Sequence, residues 1–161
     1  MSFSLRPVDA VDLPFLFQLY ASTRAEELAQ IPWDAAQKQA FLQMQFDAQR
    51  RHYSSCFGGD RHDLIVCEGH PVGRFYVGRW SAEIRVIDIS LLPEYRGHRI
   101  GAKLLTDLQL EANLQSKRVS IHVGKFNRAR HLYNRLGFVL ASSGEVHDLM
   151  IWEPDPRVRA A

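Results

Sequence analysis

The chain of 161 residues lacks the features that announce several large function classes. It has no apolar run near the roughly 20 residues that a membrane-spanning helix needs. Neither Gly-Lys-Ser nor Gly-Lys-Thr occurs, so the phosphate loop of nucleotide hydrolases is absent. The spacing of Gly97 and Gly101 does not make a dinucleotide-binding fingerprint, which removes the usual signature of hydride transfer. The pattern His-Glu-x-x-His is missing. The seven histidines (His52, His62, His70, His98, His122, His131 and His147) show no metal-ligand spacing, and no metal is expected. No lysine- or arginine-rich block stands out as a nucleic-acid arm. The 20 basic and 18 acidic side chains are spread along the chain and leave a net charge of +2. Arg50-Arg51-His52 and the basic residues from Arg128 to Arg135 read as solvated helix faces rather than a nucleic-acid surface.

Cysteine is scarce too. Cys56 and Cys67 lie in or beside apolar stretches and read as small buried or half-buried thiols, not as a disulfide framework. Met1 to Ala10 contains Arg6, Pro7 and Asp9 and no apolar run of signal-peptide length, so a cytoplasmic location is expected. There is no internal repeat and no low-complexity segment. What remains is an ordinary globular composition, 46% hydrophobic and 24% charged, at a length that suits one domain. That domain is expected over residues 1–155, with 156–161 a flexible tail.

Hydrophobic periodicity supplies the elements. Phe3 to Arg6 alternates as a short strand. Asp9 caps a helix from Val11 to about Thr23, with Leu13, Leu16 and Tyr20 on one face. Ile31-Pro32 breaks the chain, and Asp34 caps a longer helix to about His52. A loop carrying Glu26, Glu27 and Trp33 is expected between these helices. Asp63–Glu68 and Val72–Arg79 form a hairpin around Gly69-His70-Pro71, and Glu83–Leu92 is a third β-rich run. A helix from about Arg99 to Ser116 follows, with Ile100, Leu104, Leu108 and Ala112 in one stripe. Val119–Val123 is a strand, and a short helix ends at Gly137. Val139–Ala141 and Val146–Trp152 close as a hairpin. The order β-α-α-β-β-β-α-β-α-β-β predicts an α/β (α+β) sandwich on one mixed, mainly antiparallel sheet flanked by helices.

One stretch carries chemistry. From Leu91 and Leu92 through Pro93-Glu94-Tyr95 to Arg96-Gly97-His98-Arg99-Ile100-Gly101-Ala102, a strand ends and a basic, glycine-containing turn leads into a helix. The first turn of a helix has amides without intrahelical partners, and with the positive end of the dipole these suit a phosphate. Gly97 and Gly101 permit close approach, and Arg96 and Arg99 add charge.

Arg96 to Gly101 resembles the pyrophosphate turn of the GCN5-related N-acetyltransferase (GNAT) superfamily: Arg or Gln, two residues, Gly or Ala, one residue, Gly or Ala. Asn127, Ala129, Leu132-Tyr133 and Gly137-Phe138 resemble that family's later Asn…Ala…Tyr…Gly-Phe signature, in the right order. Arg99 departs from the pattern, standing where the family usually has a small residue.

The resemblance implies an enzyme that moves the acetyl group of acetyl-CoA to a primary amine by direct attack on the thioester. The other function it leaves open is a non-catalytic acyl-CoA-binding sensor on the same fold. It implies that Leu91, Leu92, Arg96, Gly97, His98, Arg99, Ile100, Gly101, Ala102 and Asn127 hold the coenzyme, with the Leu91–Leu92 backbone pairing with the pantetheine arm. Asn127 can equally serve as a helix cap. Tyr133 is the implied general acid for the departing thiolate. Glu83, thirteen residues before Arg96, resembles the glutamate of the histone-acetylating branch, and Asp88 lies nearer the expected thioester. By alternation these two carboxylates point to opposite faces. His122 is a lesser candidate base. Tyr20, Glu26, Glu27, Trp33 and His147 fall in segments that build the family's acceptor groove, and a homodimer is a family-level expectation.

Overall fold

A computed structural model describes residues 1–157; of the tail expected at 156–161, residues 156–157 are helical and 158–161 lie outside the described residues. The elements in chain order are β1 (Ser4–Pro7), a 3-10 turn (Ala10–Asp12), α1 (Leu13–Ala29), α2 (Ala35–Phe57), β2 (Arg61–Cys67) and β3 (His70–Arg79). Then come β4 (Glu83–Leu91), a second 3-10 turn (Pro93–Tyr95), α3 (Ile100–Leu114), β5 (Arg118–Gly124), α4 (Ala129–Arg135), β6 (Val139–Ser143) and β7 (His147–Trp152). The strands form a seven-stranded sheet in the order β1-β2-β3-β4-β5-β7-β6, mainly antiparallel, with β4 and β5 parallel. This is the expected α+β class. Among the described residues no helix is long and apolar enough to cross a membrane.

The chain divides into two compact units. The first comprises Met1–Phe75 and Ser90–Arg96, the second Tyr76–Ile89 and the chain from Gly97 onward.

In the first unit Leu16, Tyr20, Leu28, Leu42, Phe46 and Leu64 make one buried cluster from α1, α2 and β2. The ring of Phe46 receives Phe17 edge-on at 5.4 Å and Tyr20 at 5.7 Å. Each large side chain so buried contributes about 1.5–3 kcal/mol of transfer free energy. Tyr20, expected near an acceptor groove, is therefore a core residue, only 7% exposed. Two helix boundaries also differ from expectation. Asp9 caps the 3-10 turn instead of α1, which begins after Asp12. Glu26 and Glu27 lie on α1 and not in a loop, because Ala25, Leu28 and Ala29 favour continuing the helix until the chain nears Pro32. Asp34 caps α2 as expected, through a reciprocal pair in which it accepts from the Gln37 amide and Gln37 accepts from its own.

In the second unit α3 buries Ile100, Leu104, Leu105, Leu108 and Ala112, one stripe at helical spacing. Ile84 and Val86 of β4 and Val119, Ile121 and Val123 of β5 are buried as well, as are Tyr133 and Phe138. The Asp155 amide donates to the side chain of Asn113 on α3 at 3.1 Å, fixing the chain beyond β7 at that point.

Candidate active site

Strand alternation positions the site's side chains. On β4, Ile84 and Val86 point into the buried face, so Glu83 and Arg85 point to the other. β4 pairs with β5 in parallel from Glu83↔Arg118 to Val86↔Ile121, and there their pairing stops. β4 nevertheless runs on to Leu91 and β5 to Gly124. From Ile87 to Ile89 on β4 and from His122 to Gly124 on β5, within the second unit, the peptide groups are free of that ladder and make the prongs of a fork. Backbone donors and acceptors at such an edge need another partner, from water or a ligand.

Glu83 sits at the closed end of the fork. Its carboxylate meets Arg85 at 3.1 Å and Arg118 at 3.5 Å, and its side chain is 16% exposed. Arg85 also donates to the buried Ser120 hydroxyl at 2.7 Å and stacks over the Trp80 ring at 5.4 Å. Glu83 is thus the centre of an ion-pair cluster. Sequence reasoning missed both arginines: alternation, two residues along the strand, is the signal for Arg85, whereas Arg118 is brought in only by the parallel register.

Asp88 is half-buried further along β4, and its charge bears on the Tyr133 phenol. Tyr133 is 4% exposed on α4, its ring 6.0 Å from that of Phe138. Burial, reinforced by Asp88, raises the phenol well above its ordinary pKa, so it keeps its proton throughout the neutral range. His122 stands at the first position of β5 beyond the last pair. Burial first, then Arg85 and His147, push its pKa down against the opposing pull of Glu83. Its imidazole is accordingly neutral near pH 7.

The basic turn has an unusual backbone. Arg96 is extended, Gly97 takes φ 78°, and Arg99 takes φ 65° and ψ 12° immediately before α3 begins at Ile100. Gly97 and Arg99 both occupy the left-handed region, which costs an ordinary L residue about 1–2 kcal/mol. Arg96, Gly97, His98 and Arg99 are exposed, while Ile100 is buried as the first anchor of α3. A Cβ added at Gly97 would meet nothing within 4 Å, so the space beside this turn is open. At Gly101 an added Cβ would make ordinary contact with Leu132 at 3.6 Å, and Ala102 is half-buried.

The other coenzyme candidates divide. The Leu92 amide donates to the Val72 carbonyl at 2.8 Å and its carbonyl accepts from the Tyr95 amide at 3.0 Å, so both of its backbone groups are engaged within the protein. Leu91, pointing its peptide groups to the other edge of the strand, has its carbonyl taken by Arg96 Nε at 3.0 Å. Arg96 therefore folds back on its own strand end. Asn127 lies one residue before the Arg128 N-cap of α4, and its Oδ1 accepts from the Ala129 amide at 2.9 Å. Glu27 pairs with Arg24 at 3.3 Å, Trp33 rests edge-on against Phe41 at 5.4 Å, and His147 is exposed. Among the described residues no group of three or more histidine, cysteine, aspartate or glutamate side chains could hold a metal ion.

The sequence profile of the acetyltransferase (GNAT) domain matches residues 60–140, half of the chain. Among curated proteins none matches significantly. Several solved structures share the fold. The PaiA N-acetyltransferase of Thermoplasma acidophilum in complex with coenzyme A superposes with a TM-score of 0.71 at 15% identity, covering 95% of this chain and 99% of that one. A GNAT-family acetyltransferase of Elizabethkingia anophelis with acetyl-CoA bound gives 0.61 at 14%, covering 94% and 97%. The ribosomal-protein-S18-alanine N-acetyltransferase of Escherichia coli gives 0.59 at 18%, covering 93% and 91%. With the profile spanning the fork, the left-handed turn and the Tyr133 helix together, the chain belongs to the GNAT acetyltransferase family.

Proposed function

We propose that this protein transfers the acetyl group of acetyl-CoA to a primary amine of a small molecule or peptide, the amine attacking the thioester directly. The observation that carries this reading is the end of β4–β5 pairing at Val86↔Ile121, in a chain whose family is acetyl transfer. A fork of this kind offers extended backbone to the amide groups of a pantetheine arm. The open left-handed turn at Gly97, leading into the N-terminus of α3, offers amides to a pyrophosphate. The coenzyme-bound state of two structures sharing the fold supports the same choice of ligand. Bound, acetyl-CoA supplies an activated acyl group on a thioester.

The chain's own residues then have three tasks. Free amides in the turn, from Gly97 to Ala102, hold the anionic end. Peptide groups of the fork orient the arm and donate to the carbonyl on which charge develops. Tyr133 donates its phenolic hydrogen to the sulfur as the carbon–sulfur bond breaks and the carbon–nitrogen bond forms. Because burial raises its pKa, the phenol acts chiefly as a hydrogen-bond donor to the leaving sulfur. A proton passed to the thiolate is returned to the phenol from the nitrogen, which sheds its second proton once the carbon–nitrogen bond has formed.

The amine must also lose a proton. For an acceptor with a lysine-like pKa this corresponds to about 4–5 kcal/mol at pH 7. Glu83 is assigned to the Arg85–Arg118 cluster, since both guanidinium groups occupy its oxygens. Proton acceptance falls to Asp88, with His122 as the second group beside the fork. Asp88→Asn and His122→Gln, compared in one pH–rate series, divide the role between them. The two free cysteines, one of them exposed, fit a reducing compartment, and we place the protein in the cytoplasm.

The test is release of free CoA from acetyl-CoA in the presence of polyamines, aminoglycosides and peptides with free amines. Amine-dependent release above the background hydrolysis rate is expected. Tight acetyl-CoA binding with no release across the panel would instead favour an acyl-CoA sensor.

A further inference from the structure

A buried carboxylate remains that none of these tasks uses. Asp148 is the second residue of β7, 4% exposed, and lies opposite Val123 of β5 on one side and Ser143 of β6 on the other. Its Oδ1 accepts from Lys125 Nζ at 2.9 Å and from the Ser143 hydroxyl at 2.8 Å. Its Oδ2 accepts from Arg130 Nη1 at 2.6 Å. Lys125 Nζ also donates to Ser143 Oγ at 2.6 Å, closing the network. Both partners hold the carboxylate far below its ordinary pKa, Lys125 most strongly and then Arg130, so it is ionised at any working pH.

What this network joins is informative. Lys125 is the first residue after β5, and Arg130 lies in the first turn of α4. One carboxylate thus binds the first residue of the connector 125–128 and the first turn of the helix that follows it; the connector carries Asn127 and presents Phe126 to solvent at 98% exposure. Backbone bonds hold the same connector: the Lys125 amide to the Val146 carbonyl at 3.2 Å, and the Asn127 amide to the Gly124 carbonyl at 3.1 Å. α4 itself has only seven residues, too few to hold a helix by local bonding. Its direction must come from tertiary anchors. Tyr133 lies three residues beyond Arg130, so a change in the first turn is transmitted to the phenol within one helical turn.

We propose that Asp148 is a positioning residue that, by binding Lys125 and Arg130 together, fixes the 125–128 connector and the Tyr133 hydroxyl against the acyl end of acetyl-CoA. This rests on the acetyl-CoA reading above. It assigns Asp148 to the thioester and pantetheine end alone, not to the phosphate turn before α3.

The experiment compares two probes by titration calorimetry: acetyl-CoA, and adenosine 3′-phosphate 5′-diphosphate, which is the coenzyme without its pantetheine arm. Asp148→Asn keeps the side-chain volume and removes the charge. It is expected to weaken acetyl-CoA by about tenfold through the released 125–128 connector, roughly 1.4 kcal/mol, beyond the less than about threefold that loss of the Tyr133 hydroxyl alone would cost. The armless nucleotide should bind as it does to the wild type. Where Asp148→Asn does not fold by circular dichroism, Arg130→Gln replaces it, removing one arm of the grip with the same expectation. Equal weakening of both probes, or of neither, overturns the proposal. Failure of the wild type to bind either probe would instead overturn the acetyl-CoA reading, so the two failures are distinguishable.

Discussion

Replacing Arg99 by glycine separates what the basic turn demands of its backbone from what the arginine side chain adds. At φ 65° and ψ 12° the Cβ of Arg99 crowds its own carbonyl, at a cost of about 1–2 kcal/mol. Glycine removes that cost but returns about 0.4–1 kcal/mol through a freer unfolded chain. The net gain for Arg99→Gly lies between about 0 and 1.6 kcal/mol, about 0.8 kcal/mol at the middle of both ranges. In a chain of 161 residues, 1 kcal/mol moves Tm by about 2–4 °C, so a rise of about 1–4 °C is expected. Arg99→Ala keeps a Cβ in the same left-handed position on an exposed residue, and its Tm should stay within about 2 °C of the wild type. Thermal unfolding of the three proteins measures this directly. Both variants lack the guanidinium, so they should bind acetyl-CoA alike. A Tm for Arg99→Gly at or below that of Arg99→Ala would refute the strain argument, and with it the backbone assigned to the turn.

Three other outcomes are expected. Tyr133→Phe keeps the buried ring and loses only the hydroxyl, so CoA release should slow by about 10²–10⁴-fold, with acetyl-CoA affinity within about threefold; equal turnover would remove the donor role. Gly97→Ala introduces a Cβ into open space at φ 78°, costing about 1 kcal/mol of stability by backbone strain alone. Any loss of acetyl-CoA affinity beyond that of an exposed surface variant then reports ligand contact at this turn, and unchanged affinity argues against it. His62, half-buried and facing Arg74, has its pKa pushed down to about 3, chiefly by burial. The unfolded chain therefore takes up the proton first, so stability is intact above the ordinary histidine pKa of about 6.5 and declines as pH falls toward 3. Asp12, held at about 2 chiefly by the Arg6 guanidinium, adds its loss only below the ordinary carboxylate range. Urea midpoints between pH 6.5 and 5 should thus flatten in His62→Gln, and an unchanged slope would show that His62 is not the group responsible.

The element order and the turn at Arg96–Ala102 were legible because each depends on local pattern: strand alternation, helical spacing, and glycines placed before an apolar stripe. Tyr133 was legible for the same reason, falling on the buried side of a short amphipathic helix. The roles of the carboxylates were not, because they depend on register. Glu83 looks catalytic along the chain, yet the parallel pairing of β4 with β5 sets Arg118 beside it. The same pairing ends at Val86↔Ile121, a boundary that no composition change marks. Arg96 and Leu92 show a related limit. Their types suited a ligand, but the fold engages the Arg96 guanidinium with the Leu91 carbonyl and the Leu92 amide with Val72. Asp148 escaped notice because its partners sit at residues 125, 130 and 143, distances in sequence that only a three-strand corner brings together.

The proposed coenzyme lies along the fork and ends at the left-handed turn, and amide hydrogen exchange with and without acetyl-CoA reads both places in one experiment. Exchange should slow at the exposed amides of Gly97, His98 and Arg99 and along His122 to Gly124, with little change in the α2 helix. Binding that left those amides exchanging at their free rates, or that protected some other region instead, would contradict it.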